Sequence, residues 1–119
     1  MKKRVLVCDD EESIRLLLRE ALQDTYEIVE AADGRETLKM VAREPFDLVV
    51  LDIKMPHVHG LAAIERIRQK NNTIPIIICS AYRIMQDDIV VKTSDIAAFF
   101  TKPIDILALK RKVFELIGK

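Results

Sequence analysis

Apolar and polar positions in this chain alternate between two periods. Val5-Leu6-Val7, Leu48-Val49-Val50-Leu51 and Ile76-Ile77-Ile78 are short continuous apolar runs; the second and third have the pattern of central strands covered on both faces. Tyr26-Glu27-Ile28-Val29-Glu30 mixes charge with apolar residues and predicts an edge strand, while Ile96 to Phe100 predicts a fifth. Between these runs the spacing turns helical. Ile14, Leu17, Leu18, Ala21 and Leu22 share one face of a helix starting near Glu12. Asp33-Gly34-Arg35-Glu36 resembles a capping box, with Leu38, Val41 and Ala42 facing inward behind it. Leu61, Ile64 and Ile67 mark a third helix after Gly60. Met85 to Ser94 is the weakest helix, because its apolar residues make no single stripe. Asp105 caps a last helix buried through Ile106, Leu109, Val113, Leu116 and Ile117, with Gly118 past its end. Five strands alternating with five helices predict an α/β fold with a doubly wound parallel sheet, one domain over residues 1–119. On this reading the 119 residues are expected to leave none over for an output domain.

In such a sheet the carboxyl ends of the strands lie on one edge, where open α/β folds bind ligands. The first run ends in Asp9-Asp10 and the third in Asp52, while the fourth runs into Cys79-Ser80 and the fifth into Lys102-Pro103. Three carboxylates, a hydroxyl and an ammonium therefore converge. Taken singly, an Asp-Asp after a strand is ordinarily a helix start, a Lys-Pro a turn, and a serine means little. The set is specific; its members are not.

Charge and cysteines narrow the setting. Nineteen basic residues balance nineteen acidic ones, so no net field favours nucleic acid or an anionic membrane. Met-Lys-Lys-Arg is followed by only Val-Leu-Val-Cys before the aspartates, too short for a signal-peptide core, and no apolar run approaches a membrane span. The expected location is the cytoplasm. If the third strand separates the first from the fourth, Cys8 and Cys79 lie about 9–10 Å apart. That exceeds the roughly 7 Å limit of a disulfide, and predicts two buried thiols.

Crowded carboxylates raise one another's pKa values unless a cation neutralises them. Oxygen ligands select Mg²⁺, Mn²⁺ or Ca²⁺ over zinc, and Mg²⁺ is the expected ion because it binds through one or two carboxylates plus phosphate and water. Phosphoryl transfer needs positioning and charge stabilisation, which Lys102 and Ser80 can supply. A carboxylate can itself be the nucleophile.

Through Val7-Cys8-Asp9-Asp10-Glu11, Leu51-Asp52-Ile53-Lys54-Met55-Pro56, Ser80-Ala81 and Phe99-Phe100-Thr101-Lys102-Pro103, the chain resembles the receiver domains of two-component response regulators over its full length. Ala32-Asp33-Gly34 and Gly60 also sit where that family places a small-polar-Gly turn and a glycine. The resemblance implies a flavodoxin-like sheet of order 2-1-3-4-5. It implies that Asp52 accepts a phosphoryl group from a histidine kinase, a phosphotransfer protein or a small phosphodonor. Asp10 would ligate Mg²⁺ directly, with Asp9 acting partly through water and the Lys54 backbone carbonyl completing the set with Asp52. Ser80 and Lys102 would engage phosphoryl oxygens, and Phe99 would occupy the aromatic switch position. Lys102-Pro103 would be cis. Lys54 and Tyr82, each two residues beyond a site residue, would shield the acyl phosphate from water and lengthen its life. The kinase would dock near the first helix and the loop after Lys102. The surface of the fourth helix, fifth strand and fifth helix would meet a target or a second copy.

Some positions depart from the family pattern. His57 and His59 replace frequent glycine and aspartate, and are expected as exposed loop residues rather than a metal pair. Asp95 stands for a frequent glycine and Ala98 for a frequent polar residue. Phe99 lacks a tyrosine's hydroxyl, so a switch there works by packing alone. Two other classes fit less well. An aspartyl-nucleophile phosphatase needs a second aspartate two residues after the first, where Glu11 stands; a nucleotide binder needs a Gly/Ser/Thr-rich loop where two aspartates and two glutamates would repel phosphate. A degenerate receiver serving only protein contacts is the remaining alternative, and a complete residue set argues against it.

Overall fold

A computed structural model describes residues 2–53, 60–81 and 95–119. Five strands, β1 (Arg4–Cys8), β2 (Glu27–Ala31), β3 (Leu48–Leu51), β4 (Ile76–Ser80) and β5 (Ala98–Thr101), form one sheet. All neighbours are parallel and the order is β2-β1-β3-β4-β5, as the resemblance implies. Four helices are described: α1 (Glu12–Leu22), α2 (Gly34–Arg43), α3 (Gly60–Lys70) and the C-terminal α4 (Ile106–Ile117). The helix expected over 85–94 lies outside the described residues.

Strand alternation splits the core into two layers. Leu6, Cys8, Val49, Leu51, Ile76 and Ile78 point to the side that packs Ile64 and Ile67 of α3. Val5, Val7, Leu48, Val50, Ile77 and Cys79 point to the other, against Leu18 and Leu22 of α1 and Leu109 and Val113 of α4. Strands β3 and β4 are buried at every residue, which is why their sequences read as unbroken apolar runs. Cys8 and Cys79 are free and buried, in opposite layers. Burial pushes both thiols up to about 12, which leaves them protonated and unreactive at neutral pH.

Several details differ from the sequence pattern. Leu17 is exposed, because the packed stripe of α1 runs through Leu18 and Leu22, with Ile14 and Ala21 at its margin. In α2 the fully buried side chain is Thr37, whose hydroxyl donates to the Asp33 carbonyl at 2.9 Å. Ala42 faces solvent. The capping box forms with a shift: Asp33 accepts from the Glu36 N–H at 2.8 Å, whereas the Glu36 carboxylate reaches the N–H of Ala32 rather than that of the cap residue. Strand β5 starts at Ala98, two residues later than expected. Asp95 adopts φ 55°, a left-handed conformation open to glycine and tolerated by aspartate. That geometry accounts for a residue that otherwise departs from the family pattern.

Candidate functional site

Strand register assembles the site. Cys8 pairs with Leu51 and Ser80 with Thr101, so the next residue on three strands is Asp9, Asp52 and Lys102. The ladder continues one step past the strands: Asp9 N–H donates to the Ala31 carbonyl at 3.1 Å, Asp52 N–H to that of Cys8 at 2.9 Å, and Lys102 N–H to that of Ser80 at 2.9 Å. Backbone hydrogen bonds thus fix where these residues sit, independently of their side-chain contacts. Asp9, Asp52 and Ser80 are buried, while Asp10 and Glu11 are exposed.

The side chains meet around Lys102. Its Nζ lies 2.9 Å from Asp9 Oδ2, 3.1 Å from Glu11 Oε1 and 3.2 Å from Asp52 Oδ2. The Lys102-Pro103 peptide is cis. Burial would lower the lysine pKa, but hydrogen bonds to Asp9 and Glu11 and the charges of Asp52 and Asp9 outweigh it and hold the ammonium above its ordinary value. Burial raises the Asp9 carboxyl, opposed by the Glu11 N–H and by Lys102.

Carboxylate oxygens of Asp9, Asp10, Glu11 and Asp52 all lie within 4.8 Å of one another. An all-oxygen, partly exposed donor set of this kind suits a hard divalent cation. Glu11 is the member that sequence reasoning did not assign. Its carboxylate forgoes capping α1, although Glu11 is the N-cap residue, and reaches Lys102 instead. The run Asp9-Asp10-Glu11 was a signal for it, but only the folded position of Lys102 reveals the contact.

Phe99 pairs with Ile78 and packs, partly buried, against the α3-side layer. By strand alternation Ser80 belongs to that same side. Lys54, His57, His59 and Tyr82 lie outside the described residues. Among the described residues no helix is long and apolar enough to cross a membrane.

A family model, the response regulator receiver domain, matches residues 5–114, and the chain belongs to that family. Sporulation initiation phosphotransferase F of Bacillus subtilis is 34% identical over 109 residues, covering 89% of this chain and 86% of that one. The CAI-1 autoinducer sensor kinase/phosphatase CqsS of Vibrio cholerae is 40% identical over 116 residues, 94% of this chain but 17% of that protein. The chain therefore spans most of one relative and a small part of another. The crystal structure of response regulator protein TrrA from Thermotoga maritima, in complex with Mg²⁺-BeF, matches with a TM-score of 0.87 and 41% identity, covering 96% of this chain and 98% of that one. Fold, acidic cluster and relatives agree on a receiver domain of two-component signalling with an acidic site suited to a divalent metal.

Proposed function

We propose that this chain is a phosphoacceptor whose Asp52 carboxylate takes a phosphoryl group from a histidine kinase, a phosphotransfer protein or a small donor. The observation that carries this reading is the buried Asp52 carboxylate, 3.2 Å from the Lys102 ammonium and within the acidic cluster. An Asp52 oxygen forms the new O–P bond as the P–N bond to the donor imidazole breaks, its electron pair returning to nitrogen. Lys102 keeps its proton throughout and compensates charge on a phosphoryl oxygen. Ser80, at the end of β4, donates its hydroxyl to a second oxygen. Asp9, Asp10 and Asp52, with the backbone carbonyl of Lys54, would hold Mg²⁺ or Mn²⁺, and Glu11 lies close enough to join them. When bound, the ion withdraws negative charge from the transferring group.

Hydrolysis by water returns the carboxylate, so the chain catalyses only its own phosphorylation and dephosphorylation. Lys54 and Tyr82 tune that lifetime by shielding the acyl phosphate. Phe99, on the same side of the sheet as Ser80, turns inward when the serine hydroxyl moves to the phosphoryl group. The output face of β5 and the C-terminal helix then meets a target or a second copy. Two buried free thiols support a reducing, cytoplasmic setting.

Incubation with Mg²⁺ and acetyl phosphate or phosphoramidate, read by intact mass, tests the proposal. One phosphoryl increment is expected, absent without the metal and absent in Asp52→Ala. An increment that survives that substitution, or none with either donor, overturns it.

A further inference from the structure

Asp9 is held at every polar atom. Its N–H donates to Ala31, Oδ1 accepts from the Glu11 N–H at 2.9 Å, and Oδ2 meets Lys102. Its carbonyl accepts from Arg15 Nη1 at 2.7 Å. That carbonyl belongs to the peptide leading into Asp10, whose side chain is exposed and has no hydrogen-bond partner among the described residues. Among the described residues, backbone geometry alone therefore aims the Asp10 carboxylate. The same guanidinium donates through Nε to Glu30 Oε1 at 3.1 Å, and Arg19 holds the other Glu30 oxygen at 2.6 Å. Arg19 also donates to the Ile28 carbonyl at 3.2 Å. Glu30, fixed on edge strand β2, thus anchors Arg15, and Arg15 grips the peptide before Asp10.

We infer that Arg15 is a positioning residue for the cation site, orienting the Asp9–Asp10 peptide so that the Asp10 carboxylate faces the other acidic oxygens. This rests on the proposed metal-binding role of Asp9, Asp10 and Asp52. A flat, forked guanidinium can hold a carbonyl and a carboxylate together, whereas an ammonium is a point donor. Groups that orient metal ligands change affinity by about 10- to 100-fold when lost.

Electrostatics supplies a discriminating sign. Deleting a positive charge beside an acidic site should tighten cation binding by simple Coulomb attraction. Loss of positioning should weaken it. Arg19→Ala removes a cation from the same helix and the same Glu30 partner without touching Asp9.

The test is Mn²⁺ titration of the full chain, with free ion read by electron paramagnetic resonance and folding checked by circular dichroism. Arg15→Ala is expected to raise Kd about tenfold. Arg15→Lys, which keeps the charge, should weaken binding to an intermediate extent, and it decides the matter should Arg15→Ala fail to fold. Arg19→Ala should stay within about twofold of the wild type or bind more tightly. Unchanged or tighter binding in both Arg15 variants overturns the inference while leaving the metal site standing. Wild-type protein that binds no Mn²⁺, or Asp10→Asn that binds it equally well, overturns the site reading and the inference with it.

Discussion

Gly60 shows how a single missing side chain supports the site. A Cβ there would stand 2.4 Å from the Ile53 Cα and 2.5 Å from its carbonyl oxygen. The Gly60 N–H donates to that carbonyl at 2.7 Å, so the start of α3 rests directly on the residue after Asp52. Gly60→Ala must displace backbone rather than a flexible side-chain tip. Overpacking of this kind costs about 1–3 kcal/mol, and a lowered urea midpoint is expected; a midpoint equal to the wild type would refute the close approach. Much of the residue scale was legible in the sequence. Asp9, Asp10, Asp52, Ser80 and Lys102 each sit at or just past a strand end, and strand ends can be read from apolar runs. Glu11 and Arg15 were not legible. Their contacts depend on where the Lys102 side chain and the Asp9 carbonyl lie after folding, and neither leaves a periodic trace.

Among the elements, α1 and β2 are joined by charge as well as by packing. Burial alone would raise the Glu30 carboxyl; hydrogen bonds from Arg19 and Arg15, with their charges, outweigh it and hold it below the ordinary glutamate value. A carboxyl depressed in the folded state adds stability above its unfolded value, and that stability is lost as pH falls through the folded value. The advantage of the wild type over Glu30→Gln in urea midpoint is therefore expected to be full at neutral pH and to fade below about pH 4. A gap that stays constant on acidification would contradict the pairing. The elements themselves followed the apolar pattern closely where a helix buries a narrow stripe, as in α4. The pattern misled at Leu17 and Ala42, where an apolar residue lies beside the stripe and tertiary packing alone decides which neighbour is covered. It also missed the late start of β5, because Ile96 and Ala97 are apolar but form the irregular lead-in to the strand, just after the left-handed Asp95.

Over the whole molecule, the residues just before β1 and β2 are tied to the end of α4. The Tyr26 hydroxyl, just before β2, donates to the Gly118 carbonyl at 2.5 Å, and Lys3 donates to the Ile117 carbonyl. Tyr26 is itself buried in the layer that packs α1 and α4 against the sheet. Tyr26→Phe keeps the ring and removes the hydrogen bond, so a loss of about 0.5–1.5 kcal/mol is expected by chemical denaturation, with the proposed phosphorylation at Asp52 unchanged. Full stability in that variant would show the link to be idle. Sheet order separates order in space from order along the chain: β4 is an interior strand whose outer neighbour, β5, comes last. Until residues 98–101 dock, the outer edge of Ile-Ile-Ile-Cys-Ser presents unpaired backbone groups on an uncharged, β-prone segment. Such an edge is a template for pairing with other chains. The strand that delivers Lys102 to the carboxylates is thus also the cover over that edge.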